Sequence, residues 1–208
     1  MKEASARGLL YVYRGNMKSA IVLIDGGFLR SVTKSSGRVY NPAFIQTFAH
    51  ACMDSDEECL RVLYYDCAPY VGRVIQPASG TTREFSGSDR WLHEIAALDL
   101  FAVRRGVLKF RGFERKRETL TRPLTDDDFK PQFEQKGVDM RIGLDIAAYS
   151  AEHLANRVIL VTNDTDCVPA MKFARKSGLQ TVLIKVPNCE PAPELVEHAD
   201  FKRNVAWP

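Results

Sequence analysis

The fold is decided by the stretch Arg157-Val-Ile-Leu-Val-Thr-Asn-Asp-Thr-Asp166, in which an apolar, largely β-branched run ends abruptly in polar and acidic residues. An unbroken apolar run of this kind predicts a strand that is buried on both faces, as in a parallel sheet. The same pattern occurs at Ala20-Ile-Val-Leu-Ile24, which is followed by Asp25-Gly-Gly27. The sequence therefore predicts two central parallel strands whose carboxyl ends are both acidic.

Helices and strands alternate on either side of these two runs. Further strands are predicted at residues 60–65 (ending in Asp66), 100–104, 107–113 (beyond an Arg105-Gly106 turn), 181–184 and near Phe201. Helices are predicted at residues 28–33, 41–53, after Ser88-Asp89, 138–154, 168–176 and around Glu194. We interpret residues 69–87 as an irregular loop and residues 114–135 as a polar stretch. The alternation predicts an α/β three-layer sandwich with a mainly parallel central sheet, of Rossmann-like architecture.

Composition limits the classes of protein that the chain can represent. With 45% hydrophobic and 26% charged residues, the 208-residue chain has the make-up of a globular protein. We expect residues 18–208 to form one domain and residues 1–17 to be a flexible leader or an extension from an upstream start. Five cysteines without a CxxC pair argue against a zinc site or a disulfide framework and favour a cytoplasmic protein. No apolar run approaches the roughly 20 residues of a membrane helix, so we expect no membrane partner.

Four aspartates fall where ligands bind in open α/β sheets, beyond the carboxyl ends of the strands. They are Asp25, Asp139, Asp164 and Asp166. Clustered carboxylates repel one another, and a hard cation such as Mg²⁺ or Mn²⁺ relieves that repulsion. A simpler interpretation stays open, because an aspartate after a strand is often a turn former or a helix N-cap. Capping is as good an explanation for Asp25 alone, and either Asp164 or Asp166 could cap the following helix.

Several motifs in the chain resemble those of the NYN domain family, in particular its LabA-like branch. They are Ile24-Asp-Gly-Gly-Phe-Leu29, Lys136-Gly-Val-Asp139 with Leu144-Asp145, Leu160-Val-Thr-Asn-Asp-Thr-Asp166 with Lys172-Phe-Ala-Arg175, and Glu194-Leu-Val-Glu-His-Ala-Asp200. The likeness spans about residues 20–205. NYN domains are similar in fold to PIN-domain nucleases, so the resemblance implies a PIN-like sheet and metal-dependent hydrolysis of RNA.

The resemblance also implies roles for individual residues. Asp25, Asp139, Asp164 and Asp166 would be the catalytic, metal-binding carboxylates, with Asp25 and Asp164 as the main ligands. The supporting residues would be Asp145, Asn163, Thr162 and Lys136. Asp145 lies six residues beyond Asp139, and at about 100° per residue it points to another helix face, which favours a structural role. The chain departs from the family by having Phe28 where many members have Asn, and Thr162-Asn163 where many have Ser-Gly.

A basic segment could bind the RNA backbone. Residues 104–122 contain eight lysines and arginines against two glutamates. The candidate phosphate contacts are Arg104, Arg105, Lys109, Arg111, Arg115 and Lys116. Phe101, Phe110 and Phe113 are interleaved with them and either stack on unpaired bases, which would favour single-stranded RNA, or face the core.

Other functions remain open at this stage. A domain of this kind could bind RNA or a protein without catalysis and act in regulation, and it could self-associate. A haloacid-dehalogenase-like phosphatase is a weaker alternative, because the first motif of that group needs a second aspartate at the position of Gly27. A dinucleotide-binding function is disfavoured, since no GxGxxG follows the first strand.

Overall fold

The computed structural model describes residues 17–116 and 122–208. The strands are β1 (Lys18–Asp25), β2 (Glu57–Cys67), β3 (Gly72–Ile75), β4 (Thr82–Phe85), β5 (Phe101–Arg115), β6 (Phe129–Lys136), β7 (Arg157–Val161), β8 (Gln180–Lys185) and β9 (Phe201–Asn204). The helices are α1 (Gly26–Ser35), α2 (Pro42–Ala51), α3 (Arg90–Ala96), α4 (Val138–Ala151), α5 (Val168–Lys176) and α6 (Pro193–Glu197). The leader predicted at residues 1–17 lies, apart from Met17, outside the described residues.

Seven of the strands form one sheet in the order β6-β5-β2-β1-β7-β8-β9. Every neighbouring pair is parallel except β5 and β6. The chain builds outward from β1 through β2 to β5 and β6, and then returns to the other side of β1 with β7. The strand order therefore reverses between β1 and β7, which is the place where open α/β sheets bind ligands.

Side chains alternate between the two faces along each buried strand, so an unbroken apolar run makes both faces apolar. Helices cover both faces. On one face, Val22 and Ile24 of β1 pack in a core with α1, α2 and α3. On the other face, Ile21 and Leu23 pack with α4, α5 and α6. This arrangement confirms the predicted three-layer α/β sandwich with a mainly parallel sheet.

Three predictions between β2 and α4 were wrong. Residues 69–87 contain a β3–β4 hairpin, and the polar stretch contains β6. The two strands expected around Arg105-Gly106 are one continuous strand, β5, which pairs with β2 as far as Gly106 and with β6 from Val107 onward. Gly106 marks a close contact and not a turn, since a Cβ atom there would lie 2.8 Å from the Cys67 sulfur.

No helix in the described part of the chain is long and apolar enough to cross a membrane.

Candidate metal centre

Three carboxylates converge beside the point where the strand order reverses. Asp139, Asp164 and Asp166 each offer an oxygen, and these oxygens all lie within 4.8 Å of one another. Asp139 is in the first turn of α4, which starts from Gly137 in a left-handed conformation with φ of 76°. Asp164 and Asp166 lie in the β7–α5 connection. The structure thus brings together three of the four aspartates that the sequence singled out.

Asp25 lies next to this trio but not within it. Its Oδ1 accepts a hydrogen bond from the Phe28 amide at 3.0 Å, so that Asp25 is the N-cap of α1. Its other oxygen accepts from the Thr162 hydroxyl at 3.4 Å. The pairing of Ile24 with Val161 places Asp25 and Thr162 at the ends of adjacent strands. The capping interpretation of Asp25 is therefore correct. Asp25 lies beside the trio, and we refer to Asp25, Asp139, Asp164 and Asp166 together as the acidic edge.

Thr162 and Asn163 hold the loop that carries Asp164. The Thr162 hydroxyl accepts from the Asp164 amide at 3.1 Å while it donates to Asp25. The Asn163 Oδ1 accepts from the Ala192 amide at 2.7 Å, which ties the loop to the segment before α6. Asp164 in turn accepts from the Asp166 amide at 2.9 Å and caps the short 3₁₀ turn Thr165–Cys167. Both supporting residues thus orient the carboxylates through the backbone.

The electrostatics of this edge favour protons or cations. Burial raises the pKa of Asp139, and the charges of Asp164 and Asp25 raise it further. Burial is also the main cause that raises the pKa of Asp25, helped by Asp164 and Asp66 and opposed by backbone hydrogen bonds from Phe28 and Gly27. These carboxyl groups therefore repel one another's ionised forms, as expected for an acidic cluster without a counterion.

Two residues that sequence reasoning did not include also belong to this edge. Asp66 is the next-to-last residue of β2, and its fully buried side chain pairs with Arg30 and accepts from the Tyr64 hydroxyl at 3.1 Å. Gln135 of β6 donates to Asp66 at 3.3 Å. Gln135 also lines, with Asp25 and Asp164, an open cleft of about 400 Å³. The position of Asp66 at a strand end was a visible signal, whereas Gln135 lies on a strand that the sequence did not predict.

Asp145 and Lys136 face other partners. Asp145 binds the Arg104 guanidinium through two hydrogen bonds of 3.0 and 3.1 Å, and it accepts from the Tyr65 hydroxyl at 2.8 Å. The Lys136 ammonium pairs with Glu134 on the same strand. Asp145 thus links α4 to β2 and β5, in agreement with the separate helix face expected for it.

The six predicted RNA-binding cations fall into two groups. Arg104, Arg105 and Arg111 pair with Asp145, Asp89 and Glu134, respectively. For the exposed Lys109, Arg115 and Lys116, the structure gives no carboxylate partner within the described residues. Phosphate contacts by this second group would not require an existing ion pair to break.

The phenylalanines of the basic segment pack against other rings or in the core. Phe101 is buried, and Phe110 lies 5.2 Å from Phe113 between ring centroids. Phe110 also contacts three rings from β6 and the β3–β4 region, namely Phe133, Tyr70 and Phe85. This favours the core interpretation of these rings over base stacking.

A second group of carboxylates is neutralised by arginines and serves as a comparison. Asp54, Asp56 and Glu57 also converge, but Arg157 and Arg203 pair with them. Within the described residues, Asp139, Asp164 and Asp166 form no such ion pair. The donor set at the acidic edge is all-oxygen and anionic, which fits Mg²⁺ or Mn²⁺. Burial is the main cause that raises the pKa of the nearby Cys167 thiol to about 12, and the charges of Asp164, Asp25 and Asp139 raise it further.

The comparisons with known proteins bear on the fold. A solved structure of a protein of unknown function from Vibrio parahaemolyticus is similar to this chain, with a TM-score of 0.54 and 16% identity. The match covers 93% of this chain and 94% of that one. No family model and no curated protein matches the chain. The likeness extends over nearly the whole of both chains, and at this identity it shows the α/β fold alone.

Proposed function

We propose that the chain is a divalent-metal-dependent hydrolase that cuts phosphodiester bonds in RNA. The observation that carries this proposal is the trio Asp139, Asp164 and Asp166, with oxygens within 4.8 Å of one another and no paired cation in the described residues. The resemblance of the surrounding motifs to the NYN family supplies the substrate class. The position between β1 and β7 supports it, because substrates of open α/β sheets enter there.

The roles of the residues follow from their surroundings. Asp139, Asp164 and Asp166 would hold Mg²⁺ or Mn²⁺, which when bound polarises a phosphoryl oxygen and provides a water nucleophile at neutral pH. Asp25 has one oxygen committed to the α1 cap and would orient the attacking water with the other. Thr162 fixes Asp25 and the Asp164 loop relative to each other. Asn163 anchors the same loop from its other side.

The test is cleavage of a labelled single-stranded RNA by the full chain during titration with Mg²⁺ or Mn²⁺. Asp164→Asn should lower the rate by about 10²-fold or more, because the position supplies charge where the ion sits. Chelator should abolish cleavage by the wild-type chain. The matched control is Glu58→Gln, which removes an exposed carboxylate near the opposite end of β2 and should cleave normally.

Two results would contradict the proposal. Cleavage that survives both Asp164→Asn and Asp139→Asn would assign the activity to a contaminant or another site. RNA binding without metal-dependent turnover would instead point to a silent, regulatory RNA-binding protein. Isothermal titration of the metal-free chain with Mn²⁺ separates these cases, because it reports the metal site without requiring a substrate.

We further propose a reducing, cytoplasmic location. All five cysteines are free, and Cys52, Cys67 and Cys167 are buried. Free buried thiols are typical of proteins from reducing compartments.

A further inference from the structure

A second pocket lies further along α1, beyond the turn that borders the acidic cleft. It has a volume of about 380 Å³ and is lined by Arg30, Lys34, Tyr40, Asn41, Pro42 and Trp91. Volumes of roughly 300–1,000 Å³ are usual for pockets that bind small molecules. The residues come from α1, the start of α2 and the start of α3, so the pocket exists only when these three helices pack together.

One wall of the pocket is cationic. Arg30 and Lys34 are four residues apart on α1 and therefore lie on the same helix face. The Arg30 guanidinium pairs with the fully buried Asp66 and lies 5.3 Å from the centroid of the Trp91 ring. These two contacts fix its plane, while its Nε–H is buried without an acceptor among the described residues. Lys34 is exposed and adds a charge for which the described residues provide no carboxylate partner.

The rest of the lining is aromatic and carries one amide donor. The Tyr40 and Trp91 rings meet edge to face, 6.0 Å apart between centroids. Tyr64 donates to Asp66, so it accepts from the Tyr40 hydroxyl, 2.7 Å away. The Asn41 Oδ1 caps α2 by accepting from Phe44 at 2.8 Å, which leaves the Asn41 Nδ2 as a donor. A planar aromatic surface beside fixed cations is the combination that holds unpaired nucleotides.

The pocket is joined to the acidic edge through the first turn of α1. The Tyr40 hydroxyl lies 3.4 Å from the Gly26 carbonyl, and Gly26 directly follows Asp25. Gly27 and Phe28 line the acidic cleft, while Arg30 and Lys34 line the cationic pocket. At 1.5 Å per residue, Arg30 lies only about 6 Å along the helix axis from the α1 start. A strand that enters the acidic cleft and continues along α1 would therefore reach Arg30 and Lys34 within one to two helical turns.

We propose that this pocket binds one unpaired nucleotide of the RNA strand next to the bond that is cut. The phosphate would contact Arg30 and Lys34, and the base would lie against Trp91 and Tyr40. This inference rests on the proposed function, since it names a subsite for the same substrate. In this arrangement the first turn of α1 borders the acidic edge, and its later turns contact the nucleotide.

The test uses Trp91 as its own reporter. The chain has two tryptophans, Trp91 and Trp207, so Trp207→Phe leaves Trp91 as the single emitter. Trp207 packs on Phe44 and Phe48, and its buried indole N–H has no acceptor among residues 17–116 and 122–208. Phenylalanine keeps those ring contacts without the N–H. In chelator, which prevents cleavage, tetrauridylate should quench Trp91 saturably. Uridine monophosphate should bind more tightly than uridine or inorganic phosphate alone.

Lys34→Gln should weaken tetrauridylate binding several-fold and lower the log–log salt slope by about 0.7. The matched control is Lys176→Gln, which removes an exposed lysine from the last turn of α5, on the opposite face of the sheet. Trp91→Leu should cost on the order of ten-fold in affinity, measured by anisotropy of a labelled tetrauridylate. Anisotropy on the chain that retains both tryptophans replaces quenching if Trp207→Phe unfolds.

Three outcomes would contradict the proposal that this pocket binds a nucleotide. They are an unchanged affinity in Lys34→Gln, unquenched Trp91 while the labelled strand binds, and phosphate binding as tightly as the nucleotide. The first two place the strand elsewhere, and the third makes the pocket a simple anion site. None of them concerns cleavage, so the proposed function would stand or fall separately on Asp164→Asn.

Discussion

Asp139 combines partial burial with three neighbouring carboxylates, so that the proposed metal ion would compete with a proton for its carboxylate. Its folded-state pKa is raised above the ordinary value of 3.8, first by burial and then by Asp164 and Asp25. The folded chain therefore binds this proton more tightly than the unfolded chain does. The resulting stability is fully present below about pH 3.8 and is lost as pH rises through the folded-state pKa.

For the metal-free chain, we expect Asp139→Asn to raise the melting temperature at pH 7. The substitution removes a charge that the other carboxylates repel, so the gain should vanish toward pH 3, where wild-type Asp139 is protonated. Saturating Mg²⁺ should reverse the order, because only the wild-type trio gains the full binding energy. Melting curves in chelator and in Mg²⁺ across pH 3–8 measure this, and a lower melting temperature for Asp139→Asn in chelator would refute it.

Asp145→Asn should destabilise the chain, in contrast to Asp139→Asn, although both residues lie in motifs that resemble the NYN family. Its carboxylate accepts from Arg104 and from the Tyr65 hydroxyl, so its loss leaves a buried phenol without a charged acceptor. We expect a loss of about 1–3 kcal/mol in unfolding free energy with unchanged Mn²⁺ affinity. Urea unfolding and calorimetric titration with Mn²⁺ check this. A large drop in Mn²⁺ affinity would contradict the structural role of Asp145 and make it a part of the proposed metal centre.

Sequence reasoning identified the acidic residues and ranked Asp25 and Asp164 as the main ligands, whereas the converging trio contains Asp164 but not Asp25. Each aspartate follows a recognisable strand or starts a recognisable helix, so the convergence of Asp139, Asp164 and Asp166 could be expected from topology. The exclusion of Asp25 from the trio could not, because it depends on which oxygen the Phe28 amide captures. Gln135 could not be found either, since its contribution depends on the pairing of β5 with β6.

At the scale of elements, β5 has two different partners along its length. Its first half pairs with β2 inside the sheet, and its second half extends beyond β2 and pairs with β6. The β3–β4 hairpin is linked to this extension through the contacts of Phe85 with Phe110 and Phe133. The central strands were predictable because their apolar runs are local signals. β6 and the hairpin were missed because the rings that hold them come from separate segments of the chain.

Under the proposed function, the six cations between residues 104 and 116 should contribute to RNA binding according to whether they are already paired. Replacing Lys109, Arg115 and Lys116 with glutamine should flatten the log–log salt slope by up to about 2, at roughly 0.7 per lost contact. Glutamine at Arg104, Arg105 and Arg111 should change the slope less and the stability more, because these arginines hold Asp145, Asp89 and Glu134.

Filter binding across a salt series, together with thermal melting, distinguishes the two triple variants. A third triple variant, with glutamine at Lys172, Lys176 and Lys202, controls for net charge at the other end of the sheet. Equal slopes in all three variants would show that the β5 extension does not contact the strand.

At the scale of the whole molecule, the two ends of the parallel strands differ in electrostatic design. Beside the carboxyl ends, Asp139, Asp164 and Asp166 have no cationic partner among the described residues, whereas the other ionic cluster is closed by arginines. There Glu57 of β2 pairs with Arg157 of β7 and Arg203 of β9. Burial alone would raise the pKa of Glu57, but Arg203, the Asp54 amide and Arg157 outweigh it, so the pKa is lowered.

We expect Glu57→Gln to destabilise the chain strongly, by about 3–5 kcal/mol, because it leaves two largely buried guanidinium groups short of a counter-charge. The stabilisation from Glu57 is present above its ordinary pKa of 4.5 and is lost as pH falls through the lowered folded-state pKa. Urea unfolding between pH 2 and 7 should therefore show an acid-labile component that Glu57→Gln lacks. A variant as stable as the wild type would mean that the arginines find other partners.

The pairing of β1 with β7 has a consequence for the newly made chain. Asp25 and Thr162 are 137 residues apart in sequence, yet they end adjacent strands. At about 5–20 residues per second, a ribosome needs roughly 7–27 s to synthesise the segment between them. During that time the apolar run 20–24 of β1, which pairs with β7 in the folded chain, has no natural neighbour on that side, and such edges recruit other strands. Protection by chaperones would matter most in this interval, and the acidic edge would be among the last parts of the protein to assemble.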